Sequence, residues 1–161
     1  MKEAAETMKT LAAQKWEWSA EAVQRILRGL TWEFVRNVQH RDEYRLHNGW
    51  VASVYHERGV PFLVEVDVHA YVEVDSLNEL EYQRKADEFY DKYRAAVGAA
   101  REVLGNPLFD GETAATGFPQ DQDAVWLALW RSEDARYMIQ QKHEDRETPF
   151  RICLVVAPRE R

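Results

Sequence analysis

The stretch from Ser76 to Pro107 most constrains the fold, because its apolar residues repeat at the spacing of one long amphipathic helix. Alternating gaps of four and three residues separate Tyr82, Ala86, Phe89, Tyr93, Ala96, Ala100 and Val103. Ser76 with Glu79 predicts a capping box at the helix start, and Gly105 before Pro107 predicts its end. A helix with one apolar face must cover another element, so we expect it to lie on a sheet.

Most of the remaining chain has the alternating pattern of antiparallel strands. Asn48-Gly49 lies between two apolar runs and is the strongest hairpin signal. From Val64 to Asp75, small apolar residues occupy every second position, which predicts one half-buried strand, or two strands joined by a bend, with an apolar face and a polar face. The mix of residues in 136–142 suits an outer strand. The pattern predicts an α+β fold, with about six antiparallel strands, a long central helix and an N-terminal helix packed on the sheet.

The length predicts a single domain over residues 1–161. Within residues 1–18 we expect a loosely attached N-terminal helix, because its apolar stripe is thin. That stripe consists of Ala4, Met8, Leu11 and Ala12. Residues 106–123 are expected to form a long irregular loop, and loops of this length are usually functional or mobile.

The negative charge is concentrated in one part of the chain. Residues 65–91 carry nine acids against two bases, a sum of −7 that equals the formal net charge of the whole sequence. Such a zone repels nucleic acid and favours a basic protein partner. The alternative is a solvated face that has no partner.

The search for catalytic and cofactor motifs predicts a non-enzyme that has no cofactor. Glycine-rich nucleotide loops, nucleophile elbows and zinc-protease helices are all absent from the sequence. The single cysteine, Cys153, lies in an apolar run and is expected to be a buried, inert thiol.

Two histidines leave an enzymatic alternative open. Glu65, Asp67 and His69 are spaced two apart, so one strand face could present them to a cation or as an acid/base pair. A solvated face explains the same row. His143 lies beside two carboxylates, which suits either a general base or an exposed turn. The alternative function is therefore a small hydrolase or ligand-binding enzyme that uses His69 or His143.

Aromatic residues add to the acidic candidates for a binding surface. Trp50 and Tyr55 lie on a strand near a turn, and Tyr71 lies among the acids. Exposed aromatic side chains are frequent hot spots of protein interfaces. The candidate partner-binding residues are Glu65, Asp67, Tyr71, Glu73, Asp75, Trp50 and Tyr55. The charged N-terminus is unlike a signal peptide and no apolar run is long enough to span a membrane, so we expect a cytoplasmic location.

Four landmarks together resemble a known group of proteins. They are Asn48-Gly49-Trp50, the helix end Val103-Leu104-Gly105-Asn106-Pro107, the run from Trp126 to Trp130 and the run from Ile152 to Pro158. Across residues 20–158 the chain resembles the small α+β immunity proteins encoded beside bacterial polymorphic toxins. The resemblance implies a non-catalytic protein that binds a cognate toxin domain and blocks its active site.

This resemblance carries no functional residues, because immunity interfaces diverge with their toxins. With the acidic zone, it leads us to expect a basic toxin as the partner, and a monomeric immunity protein. The alternative within binding proteins is a homodimer similar to a secretion chaperone.

Overall fold

The computed structural model describes residues 1–159 and contains one sheet of eight strands with three α-helices. The helices are α1 (Lys2–Ala12), α2 (Ala20–Gly29) and α3 (Glu79–Leu104), and a short 3-10 turn, Val74–Ser76, precedes α3. The strands are β1 (Glu33–Val38), β2 (Arg41–Arg45), β3 (Val51–Glu57), β4 (Val60–Tyr71), β5 (Phe109–Glu112), β6 (Trp126–Arg131), β7 (Ala135–Lys142) and β8 (Phe150–Pro158).

The sheet joins two runs of consecutive strands through its last strand. The order is β1-β2-β3-β4-β8-β7-β6-β5, and every neighbouring pair is antiparallel. Helix α3 lies in the connection between β4 and β5, which are four places apart in this order. The predicted α+β fold with a single antiparallel sheet is confirmed.

The prediction of about six strands is wrong in its count, since the described chain has eight. Strand β5 lies inside the segment 106–123 that we expected to be irregular, and it pairs Phe109 with Leu129 of β6. Its four residues include Asp110 and Gly111 and carry no apolar alternation. Contacts from α3 stabilise it instead: the Tyr93 hydroxyl donates to Asp110 Oδ1 at 2.7 Å and Arg94 donates to Asp110 Oδ2 at 2.6 Å.

Helix α3 starts later than its sequence signal indicated. Its capping box joins Asn78 and Glu81: Asn78 Oδ1 accepts from the Glu81 amide at 2.9 Å, and a Glu81 carboxylate oxygen accepts from the Asn78 amide at 3.0 Å. Ser76 cannot serve as the cap, because it lies in the 3-10 turn and its hydroxyl donates to the Glu73 carbonyl at 2.7 Å. The predicted end at Gly105 is confirmed by its φ of 80°.

Helix α1 is packed against α3 and the sheet, so the expected loose attachment is not found. Ala4, Met8 and Leu11 are buried in the main core cluster. The Trp16 indole N–H donates to the Leu11 carbonyl at 2.9 Å and fixes the chain after the helix.

The sheet is covered on both faces. The three helices cover one face, where α3 contributes Phe89, Tyr93 and Val97 to the larger core cluster. Residues 113–125 contribute to covering the other face, where Phe118 packs edge-on to Phe109 with ring centroids 6.0 Å apart. All eight residues of β7 are consequently buried, and our assignment of 136–142 to an outer strand is wrong. No helix within residues 1–159 has the length and apolarity needed to cross a membrane.

Candidate functional site

A bulge divides the predicted acidic face of β4. Asp67 pairs with Cys153 and His69 pairs with Ile152, which are consecutive on β8, so Val68 is an extra residue. The alternation of side chains is therefore interrupted at Val68. Glu65 and Asp67 lie on the face opposite the helices. Beyond the bulge, His69 and Tyr71 lie on the face that the helices cover.

The contacts of His69 and Tyr71 confirm this reversal. His69 Nε2 lies 3.3 Å from Met1 Sδ, and Lys85 Nζ of α3 lies 4.4 Å from the Tyr71 ring centroid. Burial lowers the pKa of His69, and the positive charges of Lys92 and the amino terminus add to that shift. The predicted row of Glu65, Asp67 and His69 on one face does not form, and Tyr71 does not share a strand face with Glu65 and Asp67.

Glu65 is buried in an ion-pair cluster, with 4% of its surface exposed. Its Oε2 lies 3.1 Å from Lys142 Nζ, and its Oε1 accepts from Arg151 at 2.6 Å. Asp67 Oδ1 accepts from the same guanidinium at 3.3 Å and from Cys153 Sγ at 3.1 Å. Arg151 also lies 3.3 Å from Glu144 Oε1, so two cations meet three carboxylates in this cluster. Glu65 is not available to a partner on the surface.

The pKa shifts in this cluster follow from burial and charge. Burial raises the pKa of Asp67, and the neighbouring Glu65 carboxylate raises it further. Burial alone would lower the pKa of Lys142, but the attraction of Glu65 outweighs it and the net shift is upward. Burial, followed by the charges of Glu65 and Asp67, raises the pKa of Cys153 well above its usual range. The thiol is buried and protonated, as expected for an inert cysteine.

The same cluster is a poor site for a metal ion. One ligand atom each from Glu65, Asp67 and Cys153 lies within 4.8 Å of the others. A divalent cation there would have to displace or repel Lys142 and Arg151, and it would need the protonated thiol to ionise. The donor set therefore does not fit a resident cation.

Trp50 and Tyr55 are half-buried and do not project as isolated anchors. Trp50 packs against the main core cluster, and its backbone amide donates to Asn48 Oδ1 at 3.0 Å within the β2–β3 turn. Burial raises the pKa of Tyr55, with a further contribution from the charge of Glu65. Tyr55 therefore borders the ion-pair cluster.

The exposed acids of residues 65–91 lie between β4 and the middle of α3, in what we call the 72–91 surface. Glu73 and Asp75 are exposed beside the 3-10 turn. The other exposed acids are Glu79, Glu81, Asp87, Glu88 and Asp91. Within the same segment Val72 is 67% exposed and Leu80 is 60% exposed. Two exposed aliphatic side chains in a segment rich in exposed carboxylates are the feature of this molecule that most resembles a protein-binding surface.

The sequence prediction missed both aliphatic residues. Val72 was assigned to the buried side of a strand that extended to Asp75, but β4 ends at Tyr71. Leu80 gave a usable signal, because it lies outside the apolar spacing that begins at Tyr82.

His143 anchors the turn between β7 and β8 to α3. Its Nε2 is hydrogen-bonded to the Tyr82 hydroxyl at 2.5 Å, and its ring stacks on Phe150 with centroids 3.9 Å apart. Its Nδ1 is buried and has no hydrogen-bond partner in the described part of the chain. The ring also borders a cavity of about 190 Å³ that has Asp123 and Glu144 in its wall. An exposed turn does not require these contacts. They fix the His143 side chain in place, so its role here is to anchor the turn.

No family model, curated protein or solved structure matches this chain. The functional argument therefore depends on the surfaces and contacts described above.

Proposed function

We propose that this protein is a non-catalytic binding module that recognises a basic protein through the 72–91 surface. Its partner is a bacterial toxin domain, which it neutralises as an immunity protein. The observation that carries the proposal is the exposure of Val72 and Leu80 among the acids of one short segment.

Charge supports a basic partner. Residues 72–91 contain seven acids and two bases, a sum of −5. Two acids have ion-pair partners, since Glu88 lies 2.7 Å from Lys85 and Glu79 lies 3.2 Å from Arg146. The remaining carboxylates form no ion pair within residues 1–159, and their field would steer a basic protein towards this surface.

The aliphatic residues supply binding affinity that charge alone does not provide. Exposed ion pairs contribute little net affinity, whereas desolvated apolar contacts at the centre of an interface contribute most of it. Val72 and Leu80 provide such contacts, and the carboxylates provide a polar rim.

The contacts of the two histidines support a non-catalytic role. His69 faces Met1, and His143 is bonded to Tyr82 and stacked on Phe150. Neither ring is hydrogen-bonded to a serine, threonine or cysteine side chain in the described residues. The arrangement of nucleophile and base that hydrolases use is therefore not present around them.

The test is capture of the partner from the native lysate with tagged protein, washed at low and high salt. We expect one basic protein that dissociates more readily at high salt and that inhibits growth when it is expressed without this chain. The double variant Glu73→Lys/Asp75→Lys and the double variant Val72→Ser/Leu80→Ser should each weaken capture while thermal unfolding changes little.

Two controls match these variants elsewhere on the surface. Glu57→Lys reverses an exposed charge at the end of β3, and Val60→Ser removes an aliphatic side chain that is exposed to a similar extent. Both should capture the partner normally. A harmless partner would refute the immunity role, and a toxic partner that binds both double variants normally would refute the assigned surface.

A further inference from the structure

Strand β1 forms a free edge of the sheet and is exposed on both of its faces. It pairs only with β2 within residues 1–159, and Glu33–Asn37 are all exposed. Strand β1 therefore lies at the margin of the cover that the helices provide. Within residues 1–159, the backbone amide and carbonyl groups along the outer side of β1 have no hydrogen-bond partner, and such an edge can accept another strand.

An apolar groove lies beside this edge, on the helix-covered face of the sheet. Phe34 is 55% exposed and packs edge-on to Tyr44, with ring centroids 5.6 Å apart. These two rings, together with Trp32, Gln24 and Arg28, line a groove of about 430 Å³. Its volume is sufficient for one or two side chains of a bound segment.

The chain segment that supplies most of the groove is basic. Residues 25–45 contain five arginines and three acids, a sum of +2. Glu43 is already paired with Arg36 at 3.0 Å and Arg41 at 3.5 Å, and Asp42 accepts from the Asn37 amide at 2.6 Å. Arg28 borders the groove and forms no ion pair with another described residue.

We propose that the β1 edge binds an extended acidic segment of another protein by strand addition. The segment pairs its backbone with residues 33–38 and places an apolar side chain in the groove. A carboxylate of the segment pairs with Arg28. This surface is distinct from the 72–91 surface, and the proposal does not depend on the proposed function.

Charge and backbone geometry favour an acidic segment over a second copy as the occupant. Pairing of two β1 edges would bring the five arginines of residues 25–45 close to the same five of the other copy. The bulge between Phe34 and Arg36 also distorts the strand, as protected edges commonly do. An acidic segment would be attracted by these arginines, and it would not bring a second bulge to the pairing.

The test is an amide NMR titration of the whole chain with two short acetylated peptides. One alternates aspartate with valine, and the other alternates lysine with valine. We expect the aspartate peptide to cause saturable shifts in residues 33–38 and to slow hydrogen exchange there, while the lysine peptide does neither.

Variants separate the charge contact from the backbone pairing. Arg28→Glu should weaken binding of the aspartate peptide by about tenfold or more, the scale of one lost charge-assisted hydrogen bond. Arg25→Glu is the matched control, because Arg25 is exposed on the same helix but does not line the groove. Slowed amide exchange in residues 33–38 reports the backbone pairing, and the two arginine variants decide the charge contact.

Three results would overturn the proposal. They are the absence of saturable shifts in residues 33–38, equal binding of the lysine peptide, and equal loss of affinity in Arg25→Glu and Arg28→Glu. A dimer in sedimentation without peptide, with exchange protection at residues 33–38, would assign the edge to a second copy instead.

Discussion

Lys142 Nζ lies 3.1 Å from Glu65 Oε2, and the two side chains are 11% and 5% exposed. Lys142 belongs to β7 and Glu65 to β4, so the pair spans β8, which lies between them. Arg151 of β8 binds the same carboxylate at 2.6 Å. The buried Glu65 carboxylate therefore connects β4 with both β8 and β7, and so joins the two halves of the sheet on either side of β8.

Glu65→Gln should destabilise the protein by about 3–5 kcal/mol, because the buried Lys142 would lose its carboxylate partner and Arg151 would lose one of three. Urea denaturation monitored by tryptophan fluorescence measures the change. Asp75→Asn is the matched control at an exposed acid of the same region and should change stability by less than about 0.5 kcal/mol. Equal effects of the two substitutions would show that the cluster does not contribute to stability.

Asp67→Asn should flatten the pH dependence of stability. The folded-state pKa of Asp67 is raised, so the contribution of this carboxyl is fully present below its unfolded pKa and is lost as pH rises through the folded value. The wild type should therefore lose stability relative to Asp67→Asn as pH increases from about 4 to 7. Denaturation curves of both proteins across this range give the difference, and an opposite slope would contradict the assignment.

Asp121→Asn should release the segment 113–125 from the sheet. Asp121 accepts two hydrogen bonds from Arg136, at 2.8 Å and 2.6 Å, and Arg136 is only 2% exposed. Leaving that guanidinium without its acid should cost about 1–3 kcal/mol. Hydrogen exchange should increase in 113–125 before it increases in the helices.

The effect of Asp121→Asn on stability should depend on pH in the opposite direction to that of Asp67→Asn. The hydrogen bonds from Arg136 hold the pKa of Asp121 below its usual value, so its contribution is present above the unfolded pKa and is lost as pH falls through the folded one. The difference between wild type and Asp121→Asn should therefore shrink towards acidic pH. A difference that grows as pH falls would contradict this.

Asn78→Ala should destabilise the protein by about 0.5–2 kcal/mol, because it removes the cap of α3. Ser76→Ala removes only an exposed hydrogen bond to a turn carbonyl and should have a smaller effect. Thermal unfolding of the two variants shows which residue caps the helix. A larger effect at Ser76 would favour the start that the sequence pattern indicated.

The long helix and the Asn48-Gly49 hairpin could be predicted because their signals are local. An apolar repeat identifies α3, and the φ of 91° at Gly49 is a backbone requirement of the turn itself. Strand β5 could not be predicted in the same way, because its stability comes from side chains of α3 and from pairing with β6.

The candidate site was harder to predict because one bulge residue, Val68, changes the sheet face on which the following side chains lie. The sequence around Val68 alternates without interruption, and only pairing with β8 shows that one residue is extra. The burial of Glu65 likewise depends on Lys142 and Arg151, which are distant in sequence. Glu73 and Asp75 are exposed as expected, since they lie beyond the end of β4.

The position of β8 also determines when the sheet can assemble during synthesis. Strands β1 to β4 and β5 to β7 leave the ribosome as two separate groups, each with an apolar edge that lacks its neighbour. Both edges stay open until residues 150–158 emerge and pair with β4 and β7 together. A nonsense codon or proteolytic cut shortly before Phe150 would therefore leave two half-sheets with unpaired edges. We expect such a truncated chain to aggregate, and not merely to lose some stability.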